Sequence, residues 1–362
     1  MEIGKLQKLM RAAGLGCWLT VSAECSDKNS EILLGRKVSG LHFLCIPAKG
    51  KSFVLVGRME ADAVRAPFSK IIFEKRAEAE KLLRKKIPAR AKIALNFSKR
   101  ASCDYLTLSQ FRFLKKALPG RRFISSEKLQ ELRAIRTSAE VQNHRKAIQI
   151  TGRALELEKK KGFAGRTEGE IAFSIKKTFL ELGADEAFET IVASGKNSAD
   201  PHHKPGKRKV RANEPLLIDF GAKVGGSCAD ITRTFWVGKK PTELFKKAYS
   251  SVLRAQEKSI ELVQAGAKGR EINDFSVKLL KKNFPEKAVL HSLGHSLGAL
   301  VHEAGPGLFS KEKRALLENQ IVTVEPGLYF PGKFGVRIED DILVGKRPLN
   351  LSGGIRKEKL SQ

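Results

Sequence analysis

Residues 216–237 constrain the fold more than any other stretch, because they place two acids in a segment that otherwise has the pattern of a buried hairpin. Hydrophobic alternation predicts two strands joined by a glycine-bearing turn centred at Val224–Gly225. In this register Asp219 and Asp230 are directly opposed, with Cβ atoms ~5 Å apart. Two like charges at this spacing repel, and burying them costs on the order of several kcal/mol. The hairpin therefore indicates a cation between the two carboxylates.

A solvated turn with two surface acids is the alternative interpretation of this hairpin. The neighbouring residues disfavour it, because they have the character of a core: Leu216, Ile218, Phe220, Ile231, Phe235 and Trp236. A second hairpin, residues 321–344, repeats the arrangement, with a turn centred on Gly332 and with Glu325 and Glu339 equidistant from it. Two hairpins that each oppose two acids indicate a shared metal centre.

The segments before the two hairpins follow the same order. The capping-box patterns at Thr137–Glu140 and Thr167–Glu170 predict two helices ahead of the first hairpin. Two further amphipathic helices, starting near residues 241 and 271, and a histidine-bearing segment precede the second hairpin. We expect a pseudo-twofold domain whose halves face one another across the metal site.

The first third of the chain has a different character. Residues 1–125 alternate helix and strand patterns and contain no acid pair, glycine fingerprint or histidine cluster. We therefore predict an α/β domain over residues 1–125 and a second domain over residues 126–362. The sequence has no run of 18 apolar residues, so we expect no membrane association. Five scattered cysteines without a CxxC pair favour a reducing, cytoplasmic location.

The chain is strongly basic, with 68 Lys and Arg against 39 Asp and Glu and a formal net charge of +29. Such an excess attracts anionic partners, and residues 204–211 (KPGKRKVR) form a basic run within it. Non-specific contact with nucleic acid is one interpretation of this run. A solvated loop is the other.

Four carboxylates and at least one imidazole converge in the predicted domain. Oxygen ligands with one nitrogen suit Mn²⁺, Fe²⁺, Co²⁺ or Zn²⁺, and the sequence offers no thiolate set for a structural zinc. Four anionic ligands exceed the needs of a single divalent ion. They match two ions that share bridging carboxylates, an arrangement that activates water for hydrolysis.

Four motifs stand out in the second domain: LLIDFGA…CADITRTF, GHSLGALVHE, VEPGLY and GVRIEDD. Together they resemble the signature of the pita-bread metallopeptidases and, within them, the Xaa-Pro branch of prolidase and aminopeptidase P. The resemblance covers residues 126–345, and residues 1–125 resemble the creatinase-type N-terminal domain. It implies an α/β (α+β) fold in which that domain precedes a pseudo-twofold pita-bread catalytic domain. It also implies a homodimer, two divalent ions with Mn²⁺ or Co²⁺ foremost, and hydrolysis of the bond before proline in peptides.

The resemblance also assigns roles to residues. The implied metal ligands are Asp219, Asp230, His295, Glu325 and Glu339, with Asp230 and Glu339 bridging the two ions. Glu325 is further implied as the proton shuttle, His202 as the group that binds the substrate carbonyl or oxyanion, and His302 as part of the proline pocket. Arg337 is implied as an arginine packed against the site and in contact with substrate.

Three alternatives remain beside the prolyl branch. Methionine aminopeptidase shares the fold, but VEPGLY, GVRIED and a full N-terminal module favour the prolyl branch. Creatinase shares the fold without the metal ligands, all five of which are present here. Catalytically silent binding proteins of this fold, some associated with nucleic acid, would suit the basic charge but have little use for five intact ligands.

His203 and His291 lie next to stronger candidates in the sequence. We expect them to be bystanders, with no part in metal or substrate binding.

Overall fold

The chain forms two compact units, Met1–Arg133 and Ala134–Gln362, in a computed structural model that describes residues 3–64 and 67–357. The division lies a few residues after the predicted boundary at 125/126. The helix Glu127–Glu131 explains the difference, because Leu129 is buried in a core of the first unit and Leu132 packs against it. Residues 358–362 of the predicted second domain lie outside the described residues.

The helices are α1 (Ile3–Ala12), α2 (Lys28–Leu34), α3 (Arg76–Lys86), α4 (Leu108–Ala117), α5 (Glu127–Glu131), α6 (Ser138–Lys161), α7 (Glu168–Glu181), α8 (Glu243–Ile260) and α9 (Gly269–Lys281). The strands of the first unit are β1 (Cys17–Ser22), β2 (His42–Pro47), β3 (Phe53–Gly57), β4 (Ser69–Phe73), β5 (Lys92–Leu95) and β6 (Arg122–Ser125). Those of the second are β7 (Asp185–Glu186), β8 (Ile191–Ser194), β9 (Glu214–Phe220), β10 (Ala222–Val224), β11 (Ser227–Cys228), β12 (Ile231–Val237), β13 (Ser296–Leu297), β14 (Ile321–Val324), β15 (Gly327–Phe330), β16 (Phe334–Arg337), β17 (Asp340–Leu343) and β18 (Leu349–Asn350). Over the described ranges, none of the helices has the length and apolar character needed to cross a membrane.

The first unit is a six-stranded sheet with helices on both faces. Its strand order is β4-β3-β2-β1-β5-β6, and β1 pairs antiparallel with β2 and parallel with β5. One face packs against α3 and α4 through a core that contains Leu83 and Leu114. The other packs against α1 through Leu6 and Met10. This confirms the predicted α/β character of the N-terminal module.

The second unit repeats one order of elements, as the sequence predicts. The helix pair α6–α7 precedes the β9–β12 hairpin, and the pair α8–α9 precedes the hairpin that runs from β14 to β17. Both predicted capping boxes are present: the Thr137 and Thr167 hydroxyls each accept a hydrogen bond from the backbone N–H of the glutamate three residues later. Helices α6 and α7 share one core with β9 and β12.

The register of the first hairpin differs from the prediction. Asp219 pairs with Thr232 rather than with Asp230, and Val224 pairs with Ser227. The turn is Gly225–Gly226, where both residues adopt left-handed backbone angles, with φ of 53° and 79°. The expected opposition of Asp219 and Asp230 is therefore wrong. Asp230 is instead the diagonal neighbour of Asp219, a position ~7–8 Å away that long or polar side chains still bridge.

The register of the second hairpin agrees with the prediction. Phe330 pairs with Phe334 about a turn at Gly332, whose φ is 75°. The same register continues into β14 and β17, where Val324 pairs with Asp340. Glu325 and Glu339 lie at the break between these two ladders.

A buried acid in the first unit makes its stability depend on pH. Asp27 caps α2 by accepting hydrogen bonds from Asn29 N and Ser30 N, and Asn96 Nδ2 donates to its other oxygen at 2.7 Å. Burial raises the pKa of Asp27 to about 6, although these hydrogen bonds oppose the shift. Because the folded protein binds this proton more tightly than the unfolded chain does, the contribution of Asp27 to stability is greatest below pH about 4 and is lost as the pH rises to about 6.

We expect the free energy of unfolding of this unit to fall by about 3 kcal/mol over that window. Asp27→Asn keeps a capping side chain and should remove most of this dependence. Urea unfolding followed by Trp18 fluorescence, in a Trp236→Phe background that leaves one tryptophan, measures the effect. Equal pH dependence with and without Asp27 would contradict the account.

Candidate active site

All five predicted metal ligands line one cavity of about 670 Å³ in the second unit. They come from five places in the fold: Asp219 from β9, Asp230 from the residue before β12, His295 from the residue before β13, Glu325 from the link between β14 and β15, and Glu339 from the link between β16 and β17. The predicted substrate-binding residues His202, His302 and Arg337 line the same cavity. The structure therefore brings together every residue that the sequence assigns to the site.

Four of the five candidate ligands lie close together in the cavity. One ligand atom each of Asp230, His295 and Glu339 lie within 4.8 Å of one another. His295 Nε2 is 3.5 Å from Asp230 Oδ2 and 3.4 Å from Glu325 Oε1. These separations let oxygen and nitrogen donors converge on a common cation.

Asp219 has one satisfied and one unsatisfied oxygen. Its Oδ2 accepts a hydrogen bond from Arg337 Nη2 at 2.6 Å. Its buried Oδ1 has no hydrogen-bond partner among the described residues. A buried carboxylate oxygen left in this state is costly, so the position fits a bound cation.

The electrostatics of the group favour the same conclusion. Burial raises the pKa of Asp230 and of Glu339 well above the usual range of carboxyl groups, and the charges of neighbouring carboxylates add to both shifts. Burial likewise raises the pKa of Glu325 to about 8, against the lowering effect of Arg337. Burial lowers the pKa of His295 to about 3, so its imidazole is neutral and able to ligate. The donor set therefore fits divalent cations, which supply the charge that these acids need to ionise.

Thr232 connects two of the site residues, and the sequence reasoning missed it. Its hydroxyl donates to Glu339 Oε2 at 2.7 Å and accepts from Arg337 Nε at 3.0 Å. The signal was available, because Thr232 lies two residues after Asp230 and so faces the same side of its strand.

Asp341 and His144 form a second missed support. Asp341 Oδ2 accepts from the backbone N–H of Asp230 at 3.2 Å and lies 2.9 Å from His144 Nε2. Both side chains are buried. Through Asp341, His144 on α6 thus helps to hold the backbone of Asp230. Nothing in the sequence around His144 indicates this role.

His291 also lines the cavity, although the sequence interpretation left it as a bystander. Its Nε2 is 2.7 Å from Tyr329 Oη. The same Tyr329 oxygen accepts a hydrogen bond from Arg337 Nη1 at 2.8 Å. Arginine only donates, so the tyrosine proton points to His291 Nε2, and His291 Nδ1 donates to the Ser292 carbonyl. Burial lowers the pKa of His291 to about 4, consistent with this neutral form.

The remaining histidines differ in position. His302 stacks edge-on against His295 with ring centroids 4.2 Å apart. His202 is exposed in the cavity wall, and its backbone N–H donates to Asp200 Oδ1. His203 points instead to the buried carboxylate of Glu168, at 2.8 Å. The guanidinium of Arg337 donates hydrogen bonds to Asp219, Tyr329 and Thr232 and so links three residues of the site, while its contact with substrate stays a prediction.

Comparison with known proteins agrees with this geometry. Metallopeptidase family M24 matches residues 142–346, and the Creatinase/Prolidase N-terminal domain matches residues 3–135. The chain is 36% identical to a protein of Mycoplasma pneumoniae over 67% of this chain and 68% of that protein. It is 33% identical to the Xaa-Pro dipeptidase of Pyrococcus furiosus over 60% of this chain and 62% of that enzyme.

Solved structures show the same likeness over nearly the full length. The X-Pro aminopeptidase from Thermotoga maritima superposes with a TM-score of 0.87 at 29% identity, covering 98% of both chains. The Xaa-Pro dipeptidase from Bacillus anthracis gives a TM-score of 0.86 at 27% identity, again over 98% of both. The chain belongs to metallopeptidase family M24 and is a metal-dependent peptidase. That family depends on a dinuclear metal centre, for which the acids and His295 form the candidate site.

Thr232→Val should weaken metal binding while leaving the fold intact. The substitution removes the hydroxyl that orients Glu339, and losing such a support typically costs 10–100-fold in metal affinity, so we expect a loss of ~10-fold or more. Calorimetric titration of the metal-stripped protein with Mn²⁺ measures it. Thr178→Val on α7 is the matched control, because among the described residues the Thr178 hydroxyl donates to the Ser174 carbonyl and Thr178 does not line the cavity. Equal affinity of the two variants would show that Thr232 does not support the site.

Proposed function

We propose that this chain hydrolyses the peptide bond before proline, with Xaa-Pro dipeptides as its preferred substrates. The observation that carries the proposal is a single cavity in which five metal-binding side chains lie beside apolar walls. Those walls are Phe188, Ile191, Val301 and Phe309. The prolyl nitrogen of an Xaa-Pro bond has no N–H to donate. A site selective for proline therefore recognises the apolar ring by packing against it, and a hydrogen-bond acceptor at that place would find no donor. The named relatives that act on Xaa-Pro bonds support the same assignment.

In this proposal two divalent ions would be held by the five side chains: Asp219 would serve one ion, His295 and Glu325 the other, and Asp230 and Glu339 both. Mn²⁺ or Co²⁺ suits this set of carboxylates with one imidazole. When bound, such ions would lower the pKa of a water molecule and would stabilise the negative charge that develops on the scissile carbonyl oxygen.

The other side chains act on the substrate directly. In this proposal the His202 imidazole donates a hydrogen bond to the carbonyl oxygen as its charge develops. Glu325 transfers a proton to the departing prolyl nitrogen in the same proposal. His302 forms the wall against the proline ring. A homodimer remains a prediction, which size-exclusion chromatography with light scattering tests.

Lys311 supports the choice of dipeptides over longer peptides. It is exposed and lines the cavity, and no ion pair engages its ammonium among the described residues. The other cation of the wall, Arg337, is already engaged by Asp219. A dipeptide carries its carboxylate on the proline itself, next to the scissile bond, so Lys311 offers that charge a partner.

The proline preference is tested with two peptides that differ only in Pro or Ala after the scissile bond. We expect a far higher kcat/KM for the prolyl peptide, complete loss on chelation, and recovery with Mn²⁺ or Co²⁺. His302→Ala should narrow the difference between the two peptides. Equal kcat/KM for Pro and Ala in the unsubstituted enzyme would refute the assignment, and release of Met from Met-Ala peptides would favour the methionine branch.

His202→Ala should lower kcat by ~10²–10³, the usual cost of one oxyanion donor, and leave bound metal near the unsubstituted level. His203→Ala is the matched control, because His203 contacts Glu168 rather than the cavity. Stopped-flow hydrolysis and metal analysis measure the two effects. A similar loss in both variants would mean that the loop, not the His202 imidazole, matters.

The role of Lys311 is tested with Ala-Pro and its C-terminal amide. Lys311→Gln should raise KM for the free acid by ~10-fold, as expected for a charged hydrogen bond, and should hardly change KM for the amide. Lys313→Gln is the control, since Lys313 is exposed but does not line the cavity. An equal change for acid and amide would exclude a carboxylate contact while leaving the proline assignment standing.

A further inference from the structure

The first unit carries more basic charge than its length predicts. Residues 1–133 contain 28 Lys and Arg against 12 Asp and Glu, whereas the longer remainder contains 40 against 27. Two segments stand out, residues 81–92 and 112–122, which together hold 11 basic residues and no acidic one. They lie far from the catalytic motifs in sequence, and the proposed peptidase activity does not use them.

The fold joins these two segments into one surface. Helices α3 and α4 pack on the same face of the sheet, and Arg84 Nε donates to the carbonyl of Ala117, the last residue of α4, at 3.1 Å. Arg121, just beyond α4, donates through Nη2 to the carbonyls of Arg84 and Ile87 at 3.2 and 2.8 Å. The C-terminal ends of both helices and the loops that follow them are therefore adjacent.

We name this surface the basic face and define it by seven exposed cations without an ion pair among the described residues: Lys81, Lys85, Lys86, Arg90, Arg112, Lys115 and Arg122. Lys116 lies beside them, 3.7 Å from Glu80. Like charges at this density repel one another, so the face favours an external partner of opposite charge.

Interaction with the helix dipoles explains only some of the cations of the basic face. Cations in the last turn of a helix complement its dipole, which explains Lys85, Lys86 and Lys115. Lys81 and Arg112 lie earlier in their helices, and Arg90 and Arg122 lie outside helices. These four have no such structural role.

We propose that the basic face binds the phosphate backbone of double-stranded nucleic acid without reading its sequence. A duplex has a high linear density of negative charge, which suits a cluster of cations. Unpaired bases would need exposed aromatic rings to stack on. Near the face, however, Phe113 is buried and Phe111 is half-buried with the Lys115 ammonium 5.8 Å above its ring.

The run 204–211, which the sequence suggested for such contact, is less suited to it. Arg208 forms a two-pronged ion pair with Glu214, with both nitrogen–oxygen distances 2.6 Å. The carbonyls of Gly206 and Arg208 accept hydrogen bonds from Gly169 and Glu168 at the start of α7. This run therefore serves as the matched control surface.

The test compares two triple variants with the same change in net charge. One carries Arg90→Glu, Arg112→Glu and Arg122→Glu on the basic face, and the other carries Lys204→Glu, Lys207→Glu and Lys209→Glu. Fluorescence anisotropy with a labelled mixed-sequence DNA duplex measures affinity from 50 to 200 mM salt. For the unsubstituted protein, contacts to six or more phosphates predict a loss of ~10³-fold or more over that range.

We expect the basic-face variant to bind at least ~10-fold more weakly at 50 mM salt and to show a shallower salt slope, while the control stays close to the unsubstituted protein. The glutamine versions of the three basic-face changes, together with circular dichroism and peptide hydrolysis, establish that weaker binding does not reflect misfolding. Equal weakening in both triple variants would reduce the effect to net charge and overturn the proposal. Absence of duplex binding at 50 mM salt, or binding to anionic lipid vesicles alone, would also overturn it.

Discussion

The repulsion among buried carboxylates in the second unit is the constraint on which the rest of its architecture depends. Asp219, Asp230, Glu325 and Glu339 line one cavity, and among the described residues Arg337, which lines the same cavity, forms an ion pair with only one of these four acids, Asp219. Burial and mutual repulsion raise the pKa of Asp230 and of Glu339 well above the usual carboxyl range. Without cations such a group would hold protons or push the hairpins apart. The active site of this fold is therefore expected to be stable, with its acids ionised, only when cations are bound.

The hydrogen-bond ladders of both hairpins are interrupted at the acids of the candidate site. The N–H groups of Asp230, Glu325 and Glu339 do not bond within their own hairpins. They donate to the Asp341 side chain, the Leu293 carbonyl and the Thr232 carbonyl, respectively. At each break the side chain no longer has to follow the regular alternation of the strand. Two of these hydrogen bonds, from Asp230 to Asp341 and from Glu339 to Thr232, connect one hairpin to the other. The pseudo-twofold repeat thus builds a site from two halves that neither half could form alone.

Sequence reasoning singled out the four acids of the candidate site because their chemistry is local: an acid within an apolar strand is visible without a structure. The capping residues Thr137 and Thr167 and the turn at Gly332 were visible for the same reason. The part given to His295 was implied by the family resemblance instead. The first hairpin register was predicted wrongly because two adjacent glycines allow two turn centres, and only packing selects between them. The His144–Asp341 support joins residues nearly 200 positions apart, and His291 depends on Tyr329, so neither had a local signal.

The central claim, that the buried acids require divalent cations, is tested most directly by thermal unfolding of the metal-stripped protein with and without Mn²⁺. A ligand at 100 times its Kd stabilises the folded state by about 2.7 kcal/mol, so the melting temperature should rise by several degrees. The same addition should have little effect on Asp230→Asn, which removes the charge between the two proposed ions. A melting temperature that Mn²⁺ leaves unchanged in the unsubstituted protein, with full peptidase activity and no metal detected by elemental analysis, would contradict the account.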